Sequence, residues 1–246
     1  MLIELCLLFF AIALIYSSAG FGGGSSYLAI MALAGVGFLL MKTTALFCNV
    51  AVVAGGVYHF AKNGHLPLKK ALQLSIVSIP MAFAGSYFPL KQQTFFLLLG
   101  LALTLAALLM IFRLFFEKQA HIRQQSALTY SLIGGGIGLL SGMTGIGGGI
   151  YLAPVLRLGR YDTAKNIAGL SSFFILVNSI AGLAGQAAKG AMAFQWSFTL
   201  PLLAAVIVGG QVGSRMSAAW LKPRWVEAFT AALILYAGVR LLITRL

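Results

Sequence analysis

Gly20-Phe21-Gly22-Gly23-Gly24 and Gly145-Ile146-Gly147-Gly148-Gly149 are two copies of one pattern, the first near the start of the chain and the second just past its middle. Each follows one apolar run and opens another. A hydrophobic helix tolerates a single glycine, but a G-x-G-G-G cluster strongly favours unwinding. Unwound backbone inside a membrane persists only where protein buries it or where it lines a polar cavity. Two such breaks at corresponding places are what a repeat-built carrier uses for its transport site. The competing reading is close helix packing, since small residues are common at helix contacts in membranes.

Working outward, the bulk composition sets the solvent. The chain has 246 residues, 60% hydrophobic and 9% charged, with mean hydropathy +0.97. A soluble domain carries about 25% charge, and four acidic residues do not solubilise a surface of this size. The expectation is an all-α integral membrane protein with little mass outside the bilayer. Residues 1–16 have the apolar core of a signal peptide but no basic region ahead of it, and Glu4 sits there instead. A retained first helix is therefore expected. The formal charge of +13 would suggest nucleic acid in a soluble chain; here the cations fall in short loops and set orientation, so no nucleic-acid partner is expected. Cys6 and Cys48 lie in apolar segments and are small packing residues rather than a disulfide; the rival reading gives Cys48, next to Asn49, a redox or sulfur-carrier role.

Apolar segments run over about 2–19, 25–40, 43–61, 71–89 and 94–116, and again over about 126–143, 150–158, 164–188, 195–219 and 226–244. A polar linker, 119–125, divides the chain into a first repeat, 1–118, and a second, 126–246. If each glycine run is only a kink within one span, the halves are parallel and the Lys and Arg residues divide nine to eight between the two faces. If the chain reverses at each run, each half has five segments and the halves are inverted. Twelve cations, among them Lys62, Lys69, Lys70, Arg157, Arg160 and Lys165, then share one face. Only Lys42, Lys91, Lys189, Arg240 and Arg245 occupy the other, which is the asymmetry of the positive-inside rule. The expected architecture is thus two inverted repeats of about five helical segments, with broken or re-entrant helices at the glycine runs and both termini outside the cytoplasm.

The glycine runs also suggest chemistry. Consecutive glycines let backbone N–H groups converge, and a helix that starts just after them adds its positive end. Together they make an anion site without a full charge. The backbone donors would be Gly22, Gly23, Gly24, Gly147, Gly148 and Gly149. Ser25, Thr144 and Tyr151 add hydroxyls beside the runs. Asn49 and Asn178 are amides in apolar segments, where each either presents an NH2 to a substrate oxygen or bonds a neighbouring helix. Lys42 and Lys165 open the segments that carry these two amides. They are entrance cations for an anion, or else they snorkel to the interface. His59 is the one histidine near a route through the bilayer. There is no His/Glu/Asp cluster, nucleophile–base pair or cofactor motif, so no enzyme, metal or cofactor is expected.

These residues resemble a family. Gly-Phe-Gly-Gly-Gly after an N-terminal helix, and the stretch from Gly142 through Gly145–Gly149 to Pro154 and Leu156 after the linker, are similar to the sulfite exporter TauE/SafE-like permeases; Ala164-Lys165 and the run from Asn178 to Gly182 fit as well. The first copy has Ala29 where the second has Pro154. The resemblance covers nearly the whole chain. It implies a multi-pass protein of the cell inner membrane that moves a small sulfur-containing anion, such as sulfite or an organosulfonate. The residues themselves leave open a channel, a carrier of another small solute, or a scaffold that transports nothing. The expected partners are the lipid bilayer and a small anionic substrate, with room for a homodimer.

Overall fold

The computed structural model describes residues 2–18, 20–116, 122, 125–216 and 223–245. Those residues form ten α-helices and no strands. The first five are α1 (Leu2–Ser18), α2 (Gly24–Leu33), α3 (Phe38–Lys62), α4 (Leu68–Tyr87) and α5 (Gln92–Phe116). The second five are α6 (Ala127–Thr144), α7 (Gly149–Leu158), α8 (Ala164–Ala188), α9 (Trp196–Met216) and α10 (Pro223–Arg245). Most of the expected linker, 119–125, lies outside the described residues. Five helices, α3, α5, α6, α8 and α9, contain stretches long and apolar enough to cross a membrane. Much of the outer surface is apolar too: Ile3, Ile76 and Ile243 are each more than 70% exposed, as lipid-facing side chains are.

The segment expected over 25–40 divides in two, and the sequence Ala34-Gly35-Val36-Gly37 is the cause. Gly35 takes φ +74°, its N–H donates to the Ala32 carbonyl, and the Val36 N–H donates to the Met31 carbonyl. This is a Schellman ending, which satisfies the last carbonyls of α2. Lys42 consequently sits in the second turn of α3 rather than at the head of its segment. The second repeat ends α7 in the same way, through Arg160 at φ 57° and the bond from Tyr161 N–H to the Leu156 carbonyl. The ends of α3 and α8 match as well, with His65 N–H bonded to the Phe60 carbonyl and Ala191 N–H to the Gln186 carbonyl. Both short helices, α2 and α7, have ten residues, about 15 Å at 1.5 Å per residue. Neither reaches across a hydrocarbon layer of about 30 Å.

The two halves of the chain interdigitate around a shared core. The first helix of each packs on the fourth of the other, α1 on α9 and α6 on α4, while α3 packs on α8 and α5 on α10. Along α6, Gly134, Gly138 and Gly142 form a face so close to α4 that an added Cβ would strike the Leu74, Ser78 and Ala82 backbone. α3 and α8 run antiparallel. Near one end Thr43 Oγ1 donates to Gln186 Oε1 at 2.6 Å; further along, Leu46 faces Gly182 and Gly56 faces Ser172. α5 and α10 are antiparallel too, since Gly100 meets Leu242 while Thr104 meets Gly238.

The two ends of the bundle differ. At one, Lys70 Nζ at the start of α4 bonds Asp162 Oδ2 at 2.7 Å and the Tyr161 carbonyl at 2.9 Å. Asp162 also accepts from the Thr163 N–H and the Asn166 side chain. Partial burial pushes its carboxyl pKa up, but the Lys70 ammonium and these hydrogen bonds outweigh that and hold it below the usual carboxylate value. The opposite end carries the Thr43–Gln186 bond between α3 and α8.

Candidate functional site

The two glycine runs join α1 to α2 and α6 to α7, and each turns on left-handed glycines. Gly23 at φ 83° and Gly148 at φ 84° are the N-caps of α2 and α7. Neither helix has a side chain capping its first turn. Ser126 caps α6 through the Thr129 N–H, and Thr163 caps α8 through the Asn166 N–H, whereas α3 and α4, like the two short helices, start without a side-chain cap. The first amides of a helix have no intrahelical acceptor. The sequence therefore leaves uncapped donors at the two buried helix starts that the glycines open.

The runs come together in the middle of the bundle, near the midpoints of α3 and α8. Asn49 from α3 stands between them. Its Nδ2 donates to the Ile146 carbonyl of the second run at 2.9 Å, and its Oδ1 lies 2.7 Å from where a Cβ on Gly22 would be. Ile175 from α8 occupies the matching place on the other side: Cβ atoms on Gly147 and Gly22 would lie 3.0 and 3.3 Å from its Cγ2. One turn further along, Val53 lies beside Gly22 and Ser179 beside Gly147. The structural partner of Asn49 is thus Ile175, not Asn178.

A small cavity opens at this meeting point. Gly22, Gly23, Gly24, Ser25, Asn49 and Gly149 of the expected site border it. Tyr16 and Thr230 add hydroxyls, and Met110, Ile146, Ile150 and Ile175 supply apolar wall. Tyr16 is hydrogen-bonded to Ser26. No charged side chain lines the cavity among the described residues. Whatever binds here meets neutral hydrogen-bonding groups and the ends of short helices.

The other expected residues lie elsewhere. Gly147 backs onto Asn49, and Gly148 packs under Phe174. Thr144 returns its hydroxyl to the Leu140 carbonyl at 2.7 Å, and Tyr151 is buried with Thr144 as its polar neighbour. Asn178 donates to the Phe174 carbonyl of its own helix at 2.8 Å, the self-bonding that polar side chains in helices often adopt. Lys42 is buried with its stem against Gly145, whereas Lys165 is exposed, as is His59. Cys48 is a buried free thiol. No group of metal-ligating side chains occurs among the described residues.

Sequence reasoning missed Tyr16, Met110, Ile175, Ser179 and Thr230. A signal for Tyr16 was present: it precedes Gly20 by the interval that separates Ser141 from Gly145, and Ser26 corresponds in the same way to Tyr151. Met110 and Thr230 carry no such mark, because their helices, α5 and α10, reach the cavity only through packing.

The whole chain has known relatives. It is 34% identical to the probable membrane transporter protein y4hK of Sinorhizobium fredii, covering 98% of both chains. It is 26% identical to YdhB of Bacillus subtilis, also named a probable membrane transporter, over 86% of this chain and 87% of that one. YjnA of the same organism, another probable membrane transporter, is 26% identical over 91% and 92%. No solved structure matches. The model of the sulfite exporter TauE/SafE family matches residues 5–241. With that match spanning both glycine runs and all ten helices, the chain belongs to the sulfite exporter TauE/SafE family of membrane transporters.

Proposed function

We propose that this protein is a carrier for a small sulfur-containing anion, sulfite or an organosulfonate, held in the cavity between the glycine runs and released by alternating access. The observation that carries this reading is the convergence of two uncapped helix starts on one uncharged cavity. Helix N-termini attract anions without a fixed cation, so a singly charged solute is attracted yet leaves readily. The backbone amides of Gly22, Gly23, Gly24 and Gly149 with Ser25, Tyr16 and Thr230 form the binding surface. Gly147 and Gly148 shape it from behind. Lys42 is the entrance cation on one side, and Lys165 meets the anion at the other.

We infer that the repeats are inverted across the inner membrane, with the Lys70–Asp162 end in the cytoplasm. The antiparallel pairing of α3 with α8 and of α5 with α10 supports this. So does the ion pair itself, because a parallel arrangement would have placed Lys70 and Asp162 on opposite faces. A reporter fused after Leu246 that is active only outside the cytoplasm agrees with this topology, and one active inside refutes it.

The test of function is thermal stabilisation of the detergent-solubilised protein by sulfite, thiosulfate, sulfate, sulfoacetate and taurine, followed by counter-flow of the stabilising anion in proteoliposomes. A ligand present at a hundred times its Kd stabilises by about 2.7 kcal/mol, enough to move the melting temperature measurably. Saturable counter-flow is the expected result. Flux without saturation makes the protein a channel, and no binding by any of the four anions refutes the anion reading.

A further inference from the structure

The buried amide of Asn49 has one half committed and one half free. Its Nδ2 donates to the Ile146 carbonyl, while its Oδ1 is fully buried with no hydrogen-bond partner. The orientation of the amide is fixed by chemistry: a carbonyl only accepts, so the amide face turned to Ile146 must be the NH2. Oδ1 is thereby turned away, toward Gly22 and Gly24 on the cavity wall. A buried acceptor without a donor is costly to maintain, and nothing on the opposite side relieves it, since Ile175 stands there. The cavity wall therefore holds one buried, unpartnered amide acceptor beside the glycine amides, which only donate, and the hydroxyls of Tyr16, Ser25 and Thr230, which donate or accept.

Resting on the anion reading above, we propose that the cavity selects anions that carry a hydrogen-bond donor, a protonated oxyanion or an anion bearing a hydroxyl, through Asn49 Oδ1. A fully ionised oxyanion brings only acceptors. It satisfies the amides but sets an oxygen against Oδ1, so the acceptor stays unpaired and repels. A hydrogen-bearing oxyanion turns its O–H to Oδ1 and its remaining oxygens to the glycine amides, so both kinds of partner are used. Ile175 makes the selection one-sided and fixes how the solute is turned in the cavity.

The test uses matched solutes in proteoliposomes of the full chain at one neutral pH. 2-Hydroxyethanesulfonate and ethanesulfonate carry the same single charge and differ in the hydroxyl; sulfite, partly protonated at that pH, is compared with sulfate, which is not. The donor-bearing member of each pair should compete with the transported anion at least about tenfold better. Preference within the sulfonate pair alone assigns the donor to an organic hydroxyl, and preference within the sulfite pair alone assigns it to a protonated oxyanion. Asn49→Leu should bring the preferred ratio to about one. If that variant does not insert, the wild-type ratios decide. Equal competition within both pairs in the wild type, or a ratio unchanged in an inserted Asn49→Leu protein, overturns the selection while leaving anion transport standing. Failure of all four anions to compete or bind overturns the anion reading instead.

Discussion

The two halves of the cavity share a skeleton and exchange their chemistry. Gly23 and Gly148 cap ten-residue helices at nearly the same φ. Asn49 and Ile175 stand between the two runs, one from α3 and one from α8, with Val53 beside the first run and Ser179 beside the second. The hydroxyl pair is exchanged too, Tyr16 with Ser26 in the first half and Ser141 with Tyr151 in the second. Tyr16 and Ser26 are bonded, whereas Ser141 Oγ makes no hydrogen bond. The matching glycine patterns set where backbone turns and helices start, because glycine conformation and helix endings are local properties. What each half offers a solute depends on single side chains at equivalent places, and these have diverged.

The comparison breaks most visibly at the second run. Gly148→Leu forces a side chain into a left-handed backbone and drives a Cβ to within 2.7 Å of the Phe174 ring. Transport should fall to background while the protein still inserts, measured as anion uptake against membrane yield. An inserted variant with full uptake would mean that the second run does not shape the cavity.

A smaller contrast lies between the two asparagines. Asn49→Leu should cost about a hundredfold in transport, as loss of a buried, specific polar contact does. Asn178→Leu should stay within about threefold, because Asn178 bonds only its own helix and exchanging a self-bonded amide for an apolar side chain is close to neutral. Equal losses would restore Asn178 as the partner of Asn49.

The packing contrast is sharper still in its geometry. In the α4–α6 pair most of the close-packed glycines lie on α6, with Gly85 on α4; in the α1–α9 pair they lie on the fourth helix, as Gly209 and Gly213 against Phe10 and Leu14. Gly142→Val should destabilise by about 1–3 kcal/mol through overpacking. Gly136→Ala, on the same helix but with open space at its Cβ, should be neutral or stabilising. Thermal melts of the two purified variants measure the difference.

The least effect is expected at the Lys70–Asp162 pair. Asp162→Asn should cost about 1 kcal/mol or less. Because the folded carboxyl pKa is lowered, the contribution is complete above the ordinary carboxylate pKa and fades as the pH falls through the lowered value. Melting curves of wild type and variant should therefore converge in acid and separate at neutral pH.

Most of the fold was legible because its signals are local. Apolar runs separated by polar breaks gave ten segments close to the observed helices, and the G-x-G-G-G runs marked both short helices. The break between α2 and α3 was expected at 41–42 but falls at 34–37, where Gly35 and Gly37 interrupt the apolar run. The site was only half legible. The glycines, Ser25 and Asn49 announce themselves as unusual residues in apolar surroundings. Asn178 announces itself as strongly and yet points into its own helix, because spacing from the glycine run does not tell which face of α8 meets the cavity.

Sequence by itself determined the membrane as solvent, the helix breaks and the family. Composition, periodicity and glycine conformation act over a few residues and need no partner. Only the tertiary structure decided that Asn49 faces Ile175, that Tyr16, Met110 and Thr230 close the cavity, and that each repeat packs its first helix on the fourth helix of the other. Those are relations between residues far apart in the chain, fixed by which helix faces pack together.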